Sequence, residues 1–213
     1  MSYKKYLKGI SLFSISAVLI SAFVVQAYAG NYTSTDPDKN SNFDRDAAYS
    51  YADDWYDGYN EDDYYDAGLD CTNFASQVLH EGGMPTASIS SYEDINGWRP
   101  HSGTWENAHY FRHYWGNVND VGKNKAYSYT IYTKTSALNN FYNDFYLPLY
   151  QGDVIQYATS SGDTVHSQVI YDWDSYGNMR IAQHTDNDIY DLEDYISSTS
   201  RYYVFRYQIK NGS

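Results

Sequence analysis

The run Val154-Ile155-Gln156-Tyr157 decides the fold class, because the spacing of apolar residues changes at this point of the chain. Three further runs follow at residues 167–171, 179–183 and 202–207, and the first and third of these are rich in β-branched and aromatic side chains. Gly, Asp, Asn and Ser separate the runs, and these residue types favour turns. The C-terminal half is therefore predicted to form an antiparallel sheet.

Upstream of this half, apolar residues recur at helical spacing. A first helix is predicted after Asp44, which is the expected N-cap, with Asp46 in the first turn. Its apolar residues are Ala47, Ala48, Tyr51, Ala52 and Trp55. The folded domain is expected to begin near Phe43, and the polar residues 30–42 are expected to be a flexible lead-in.

A second helix is predicted from residue 70 or 71 to about His80, with Asp70 as its N-cap and Gly82-Gly83 as its stop signal. A third helix is predicted over residues 104–115. Helices followed by an antiparallel sheet make an α+β fold. The intervening residues 116–150, rich in Asn and Tyr, are expected to shape a substrate cleft.

The first 29 residues have the pattern of a signal peptide. Three lysines precede an apolar stretch at residues 10–25, and Ala27-Tyr28-Ala29 resembles a cleavage site. We therefore expect a secreted protein with no membrane span after cleavage, made of one domain over residues 43–213. A retained membrane anchor is the alternative.

The chain is acidic, with 27 Asp and Glu against 14 Lys and Arg in 213 residues, a net charge of −13. Without the three lysines of the predicted signal peptide, 11 basic residues face 27 acidic ones, a net charge of −16. This charge argues against nucleic acid and anionic membranes as partners. The length fits a monomeric single domain.

The only cysteine, Cys71, lies at the predicted start of the second helix. In an exported protein a lone cysteine is either an inert buried thiol or a nucleophile. A helix N-terminus favours the thiolate, since its unpaired N–H groups and dipole present positive potential. The same N–H groups at Asp70 and Thr72 would hold an oxyanion. The position therefore favours nucleophilic chemistry.

A thiol nucleophile needs a base, and His166 is the first candidate because it opens a predicted strand after the turn at residues 160–163. If Tyr171 pairs with Met179, the antiparallel register places His184 opposite His166 on the same face. We therefore predict His184 as the residue that orients the base.

That register leaves alternatives open. Asp186 and Asn187 are reserve candidates for the orienting residue, and a slip by one position would bring Gln183 or Thr185 opposite His166 instead. A histidine pair without chemistry, or half of a metal site completed by Asp186, is the non-catalytic alternative.

Two other patterns raise metal binding as an alternative. His109 and His113 are four residues apart on a predicted helix, but no HExxH motif accompanies them. Carboxylates cluster at residues 57–66, yet their spacing matches no EF-hand, so a solvated loop is preferred over a calcium site. His80 lies too far along the cysteine helix to reach the sulfur.

Several blocks of sequence together resemble a known family. They are DRDAAYSYADDW at 44–55, DCTNFASQ at 70–77, GG at 82–83, WENA at 105–108, GDVIQY at 152–157, HS at 166–167 and QHTDN at 183–187. In this order they resemble the putative amidase domain of Gram-positive secreted proteins, which is similar to the NlpC-type and CHAP-type amidases.

The resemblance implies a papain-like core, with Cys71 as nucleophile and His166 as base. Related families place His, Asn, Asp or Glu on the following strand, where this chain has His184, with Gln183 shifted by one residue. The implied reaction is hydrolysis of amide bonds in peptidoglycan peptides of the cell wall, through an acyl-enzyme and without a cofactor.

Two other functions stay open at the level of sequence. The same Cys-His pair would transfer an acyl group to an amine or alcohol if the cleft excluded water. The non-catalytic alternative is a secreted module that binds glycan or peptide in an aromatic groove, with Cys71 merely buried.

Overall fold

The computed structural model describes residues 30–65, 68 and 70–213. The predicted signal peptide at residues 1–29 and Asp66, at the end of the acidic loop, lie outside the described residues. Across the described ranges, no helix is long and apolar enough to cross a membrane.

The described chain combines helices with one large sheet. The helices are α1 (Arg45–Trp55), α2 (Cys71–Glu81), α3 (Gly103–Glu106), α4 (Ala108–Trp115), α5 (Lys134–Asn139) and α6 (Leu192–Ser198), with a π-helical turn at Tyr142–Tyr146. The strands are β1 (Tyr32–Thr33), β2 (Ser128–Thr133), β3 (Val154–Ala158), β4 (Thr164–Trp173), β5 (Met179–Gln183), β6 (Asp188–Asp191) and β7 (Tyr203–Gln208).

The strands form a seven-stranded antiparallel sheet in the order β1-β2-β7-β3-β4-β5-β6. Neighbouring residues of a strand point to opposite faces of the sheet. Val154 accordingly joins an aromatic-rich core with α1, α2 and α4, and Ile155 joins a second core with α5, the π-helical turn and α6. The predicted α+β class is confirmed.

The first two helices begin where the sequence predicts them. Asp44 caps α1, since its carboxylate accepts hydrogen bonds from the backbone N–H groups of Asp46 and Ala47. Helix α2 starts at Cys71 and ends before Gly82-Gly83, where Gly83 has a φ of 92°. That backbone conformation suits glycine, so the glycine pair stops the helix as expected.

The predicted third helix is wrong in its continuity. Asn107 adopts an extended conformation (φ −108°, ψ 124°) and divides the segment into α3 and α4. Its side chain accepts hydrogen bonds from the N–H groups of His109 and Tyr110, so it caps α4. An Asn that caps a helix at its N-terminus cannot also continue the preceding one.

Residues 30–42 are not the flexible lead-in that the sequence predicts. Tyr32 and Thr33 pair with β2 as the edge strand of the sheet. The side chain of Asn40 donates to the backbone oxygens of Lys125 and Ile209. Polar composition alone predicts a loose segment. Here, however, Asn40 bonds to backbone atoms just before β2 and just after β7.

Residues 116–150 also differ from expectation. They form β2, α5 and the π-helical turn, and they supply Tyr129 and Phe145 to the two cores. The described residues that line the cavity around Cys71 include none from this segment. The segment therefore builds the sheet and its packing, and it does not shape that cavity.

Candidate active site

Cys71 is the first residue of α2 and is 8% exposed. Asp70 occupies the N-cap position, but its carboxylate makes no capping hydrogen bond, so the predicted side-chain cap is wrong. The carboxylate instead accepts from Asn73 Nδ2 at 2.6 Å and pairs with His184 Nδ1. The first-turn N–H groups beside the sulfur therefore lack that cap, and the positive end of the helix dipole faces the same region.

His166 lies on β4, next to an irregularity in the sheet. The register between β3 and β4 shifts directly after the pair Tyr157 and His166, so Val165 is an extra residue in β4. Such bulges redirect side chains near functional sites. The rings of Tyr157 and Tyr195 lie beside the imidazole, each with its centroid 6.1 Å away, and the two tyrosine centroids are 5.2 Å from each other.

Cys71 and His166 line one cavity of about 250 Å³. Burial by itself raises the pKa of the Cys71 thiol, but the hydrogen bond and positive charge of His166 lower it. The backbone N–H of Ser167 and the hydroxyl of Thr72 lower it further, and the net pKa falls below the ordinary value. These contacts favour the thiolate.

The imidazole responds in the opposite direction. Burial lowers the pKa of His166, but the hydrogen bond and charge of Cys71 and the hydrogen bond to Gln183 raise it. The positive charge of Arg201 opposes this rise, and the net pKa of His166 lies above its ordinary value. A lowered thiol pKa beside a raised imidazole pKa favours a thiolate–imidazolium pair.

The predicted register between β4 and β5 is wrong. Met179 pairs with Trp173 rather than with Tyr171, because the pairing of the two strands shifts between Ile170 and Trp173. The slip removes His184 from the position opposite His166. Gln183 instead provides the orienting contact, since its Oε1 accepts from His166 Nε2 at 2.8 Å.

A chain of hydrogen bonds sets the orientation of the Gln183 amide. The hydroxyl of Tyr157 donates to Gln168 Oε1 at 2.7 Å, and Gln168 Nε2 donates to Gln183 Oε1. Burial raises the pKa of Tyr157 well above its usual value, so its hydroxyl keeps the proton. Gln183 therefore presents an acceptor to His166, so Nε2 carries the hydrogen of this contact. Nδ1 is the ring nitrogen that is left to face Cys71.

His184 lies in a separate buried cluster. Its Nδ1 pairs with Asp70, its Nε2 is 2.7 Å from the backbone oxygen of Trp55, and its ring stacks on Phe74 at 3.9 Å. Both ring nitrogens therefore have an oxygen atom within hydrogen-bonding distance. His184 thus joins the residue before Cys71 to the C-terminal end of α1.

The remaining predicted site residues have different surroundings. Thr72 Oγ1 lies 3.7 Å from the Cys71 sulfur and 2.9 Å from Ser167 Oγ. Thr72 is not among the described residues that line the cavity. Asp186 lies in the turn between β5 and β6 and lines the cavity, and its backbone oxygen accepts a hydrogen bond from Gln183 Nε2. The side chain of Asn187 accepts from the Tyr59 hydroxyl at 3.5 Å.

The sequence did not identify Tyr195 and Arg201, which also line the cavity. Both follow β6, and only the folding of α6 back over the sheet brings them to His166. Thr185, another lining residue, has a φ of 91°. A β-branched residue in this conformation is strained, and such strain is frequent at functional sites. No local motif indicates any of the three.

The metal alternatives gain no support within the described ranges, where no group of three or more His, Cys, Asp or Glu side chains is arranged to hold an ion. The His109 and His113 rings meet edge to face with centroids 5.1 Å apart, and His113 Nδ1 contacts the backbone oxygen of Val121. Burial lowers the pKa of both imidazoles.

Comparison with protein families gives one match and confirms the resemblance seen in the sequence. A family model described as a putative amidase domain matches residues 42–207. Searches of the curated proteins and of the solved structures give no significant match. The chain therefore belongs to the putative amidase domain family, which places it in the general class of enzymes that hydrolyse amide bonds.

Proposed function

We propose that this protein is a cysteine-dependent amidase in which Cys71 attacks the amide carbonyl and His166 transfers the protons. The observation that carries the proposal is the contact between buried Cys71 and half-buried His166 in one cavity, with the thiol pKa lowered and the imidazole pKa raised at one helix N-terminus. Perturbed pKa values in a cavity are typical of working groups.

Acylation follows from the proton positions. The Cys71 thiolate attacks the carbonyl carbon, and the uncapped N–H groups at the start of α2 stabilise the oxyanion. The His166 imidazolium then donates its Nδ1 proton to the leaving nitrogen, the C–N bond breaks, and the amine departs. A thioester joins the acyl group to Cys71.

Deacylation uses the same groups in reverse. Neutral His166 accepts a proton from water at Nδ1, and the resulting hydroxide attacks the thioester carbonyl. Collapse of the intermediate expels the Cys71 thiolate and releases the carboxylic acid. Gln183 accepts from Nε2 throughout, so the imidazole keeps the orientation needed for both steps.

The proposed substrates are peptide amides of the bacterial cell wall. The support is the resemblance to secreted amidases and the predicted signal peptide at residues 1–29. The net charge of −13 disfavours binding to anionic wall polymers, so released peptidoglycan fragments and less charged regions of the wall are the favoured targets.

The test is to incubate the protein with soluble peptidoglycan fragments and to quantify new amino groups and carboxylic acids. Cys71→Ala and His166→Ala should each lower turnover by about 10³-fold or more, as for other nucleophile and base pairs. His109→Ala removes a histidine away from the cavity and should leave turnover unchanged.

Mass spectrometry of the quenched reaction should detect an acyl adduct on Cys71. Added amine tests the rival transferase function, because a transferase would release acylated amine in place of free acid. Turnover that survives Cys71→Ala would refute the proposal, and ligand binding without any turnover would favour the non-catalytic module.

A further inference from the structure

Arg201 lies between α6 and β7, where its half-buried side chain lines the cavity that holds Cys71 and His166. Among the described residues that line this cavity, it is the single Lys or Arg. It is close enough to His166 and Tyr195 for its charge to act on both side chains. A permanent cation therefore stands beside the proposed reaction centre.

The guanidinium of Arg201 has no ion pair or hydrogen bond with the described residues. Its backbone N–H bonds to Thr199 Oγ1 at 3.4 Å, but its side chain makes no such contact. Asp186 lines the same cavity, yet no ion pair within 4.0 Å joins the two. In contrast, Arg45 and Arg180 each pair with a carboxylate.

An unpaired guanidinium is unexpected for two reasons. The chain carries 27 acidic against 14 basic residues, so carboxylates are abundant. In addition, the charge of Arg201 opposes protonation of His166, which the proposed mechanism requires. A bound anion would remove that opposition while satisfying the guanidinium donors.

We propose that Arg201 binds a free carboxylate of the substrate, which makes the substrates acidic peptides with a carboxylate close to the scissile amide. The inference rests on the proposed function and deepens it. The planar guanidinium donates two parallel hydrogen bonds to such a group, which fixes its orientation as well as its charge.

Positive and negative side chains lie at different ends of the cavity. Beyond Tyr195 a second cavity of about 630 Å³ shares Gln183 and Asp186 with the first, and Asp191 and Asp194 also line it. Carboxylates on that side repel a substrate anion. The carboxylate of the substrate is therefore directed to the Arg201 end, and the orientation of the peptide across Cys71 is set.

The first test needs no substrate. Iodoacetate and iodoacetamide alkylate the same thiol, and only iodoacetate carries a carboxylate. N-iodoacetylglycine and its amide form a second pair with a longer reach. For each pair, the ratio of the two alkylation rates on Cys71, divided by the ratio on free cysteine, measures recognition of the carboxylate.

Arg201→Gln should lower this ratio in at least one pair by about tenfold or more, the loss expected for one charge-assisted contact. Arg201→Lys should give an intermediate ratio, since it keeps the positive charge but cannot donate the two parallel hydrogen bonds of a guanidinium. Arg180→Gln removes one positive charge at a separate surface pair and should preserve the ratio. Equal ratios in wild type and Arg201→Gln for both pairs would overturn the proposal.

The second test uses matched peptide substrates that end in a carboxylate or a carboxamide next to the scissile bond. Arg201→Gln should raise KM for the carboxylate peptide and lower the ratio of its kcat/KM to that of the carboxamide peptide by about tenfold, and this ratio cancels any effect of the lost charge on His166. Failure of the proposed amidase function would appear as absent turnover for every peptide. In that case the alkylation ratios still measure carboxylate binding by Arg201, because they require no turnover.

Discussion

In the proposed mechanism, the reactivity of Cys71 depends on the Gln183 side chain, which acts on the thiol through His166. Its Oε1 accepts from His166 Nε2, and this hydrogen bond helps to raise the pKa of the imidazole. The imidazolium in turn lowers the pKa of the thiol. The activity should therefore follow a bell-shaped pH profile, with the acid limb set by Cys71 and the alkaline limb by His166.

Changing Gln183 should move the alkaline limb in two directions. Gln183→Leu removes a contact that raises the pKa of His166, so the limb should shift to lower pH. Gln183→Glu places a carboxylate there and should shift it to higher pH. The measurement is kcat/KM against pH for a peptide amide.

Asn187→Ala is the matched control, because Asn187 lies in the turn that directly follows Gln183 and its side chain bonds to Tyr59 instead of His166. Its profile should equal that of the wild type. An alkaline limb that stays in place in both Gln183 variants would contradict the assigned role.

Sequence patterns were sufficient to bring Cys71 and His166 forward as a candidate pair, and the structure places both on one cavity, but the patterns favoured His184 where Gln183 makes the contact with His166. Cys71 and His166 stand out because a lone cysteine at a helix start and a histidine at a strand start are local features. The contact of Gln183 depends on a register shift between β4 and β5 that lies several residues away. Strand register is a property of the paired strands, so a single sequence does not specify it.

At the scale of the elements, a buried hydrogen bond between Asp70 and His184 holds the start of α2 to the end of β5. Asp70 precedes Cys71, and its partner His184 follows Gln183, so the pair joins the two segments that carry the site. The backbone oxygen of Trp55 adds the C-terminal end of α1 to the same cluster.

Removing one partner of this pair should destabilise the fold strongly. His184→Ala should lower the free energy of unfolding by about 3–5 kcal/mol, because it removes a buried ring that packs on Phe74 and leaves the buried Asp70 carboxylate without this hydrogen-bond partner. Asp70→Ala should cost a similar amount, and the double variant less than the sum of the two. Urea denaturation measures all three.

His113→Ala serves as the control, since this half-buried histidine has one contact with a backbone oxygen. It should cost about 1 kcal/mol or less. Additive losses for Asp70→Ala and His184→Ala would show that the two side chains do not stabilise the fold as a pair.

Helix boundaries were predictable where capping residues and apolar spacing agree, as at Asp44 and Gly82-Gly83. The break at Asn107 was not, because an Asn is compatible with both an exposed helix position and a cap. Strands β2 and β6 were missed. The four residues of β6 are largely polar, and pairing with β5 stabilises them as a strand.

At the scale of the whole molecule, a buried ion pair connects α1 to the sheet. Arg45, the first residue of α1, lies 3.1 Å from Asp153, which directly precedes β3. The guanidinium also donates to the backbone oxygens of Gln151, Lys210 and Gly212. One side chain therefore joins α1, the start of β3 and the C-terminal tail.

Arg45→Met should lower the free energy of unfolding at pH 7 by about 3–5 kcal/mol, while it keeps most of the apolar packing of the stem. This corresponds to a fall in Tm of roughly 6–20 °C for a domain of this size. Arg180→Met breaks the more exposed pair with Asp172 and should cost about 0–1 kcal/mol.

The loss in Arg45→Met should also depend on pH. Burial raises the pKa of Asp153 and Arg45 opposes that rise, so the variant raises the pKa further. A carboxyl whose pKa is higher in the folded than in the unfolded state loses stability as the pH rises between the two values. The deficit should be smaller at pH 4.5 than at pH 7, and an equal deficit at both would contradict this explanation.

The global architecture was only partly accessible from the sequence. The order of helices before strands was enough for the α+β class. The position of β2 between β1 and β7 was not, because it depends on contacts between residues far apart in the chain. Residues 30–42 were mistaken for a loose segment for the same reason, since β1 acquires its structure by pairing with β2.

The central claim is that Cys71 and His166 form a reactive pair, and the rate of Cys71 alkylation by iodoacetamide against pH tests it most directly. Wild-type protein should show an apparent thiol pKa well below the usual value of about 8.5, and His166→Ala should raise it, because the imidazolium contributes to the lowering. Slow labelling that appears only on unfolding, with no effect of His166→Ala, would contradict the claim.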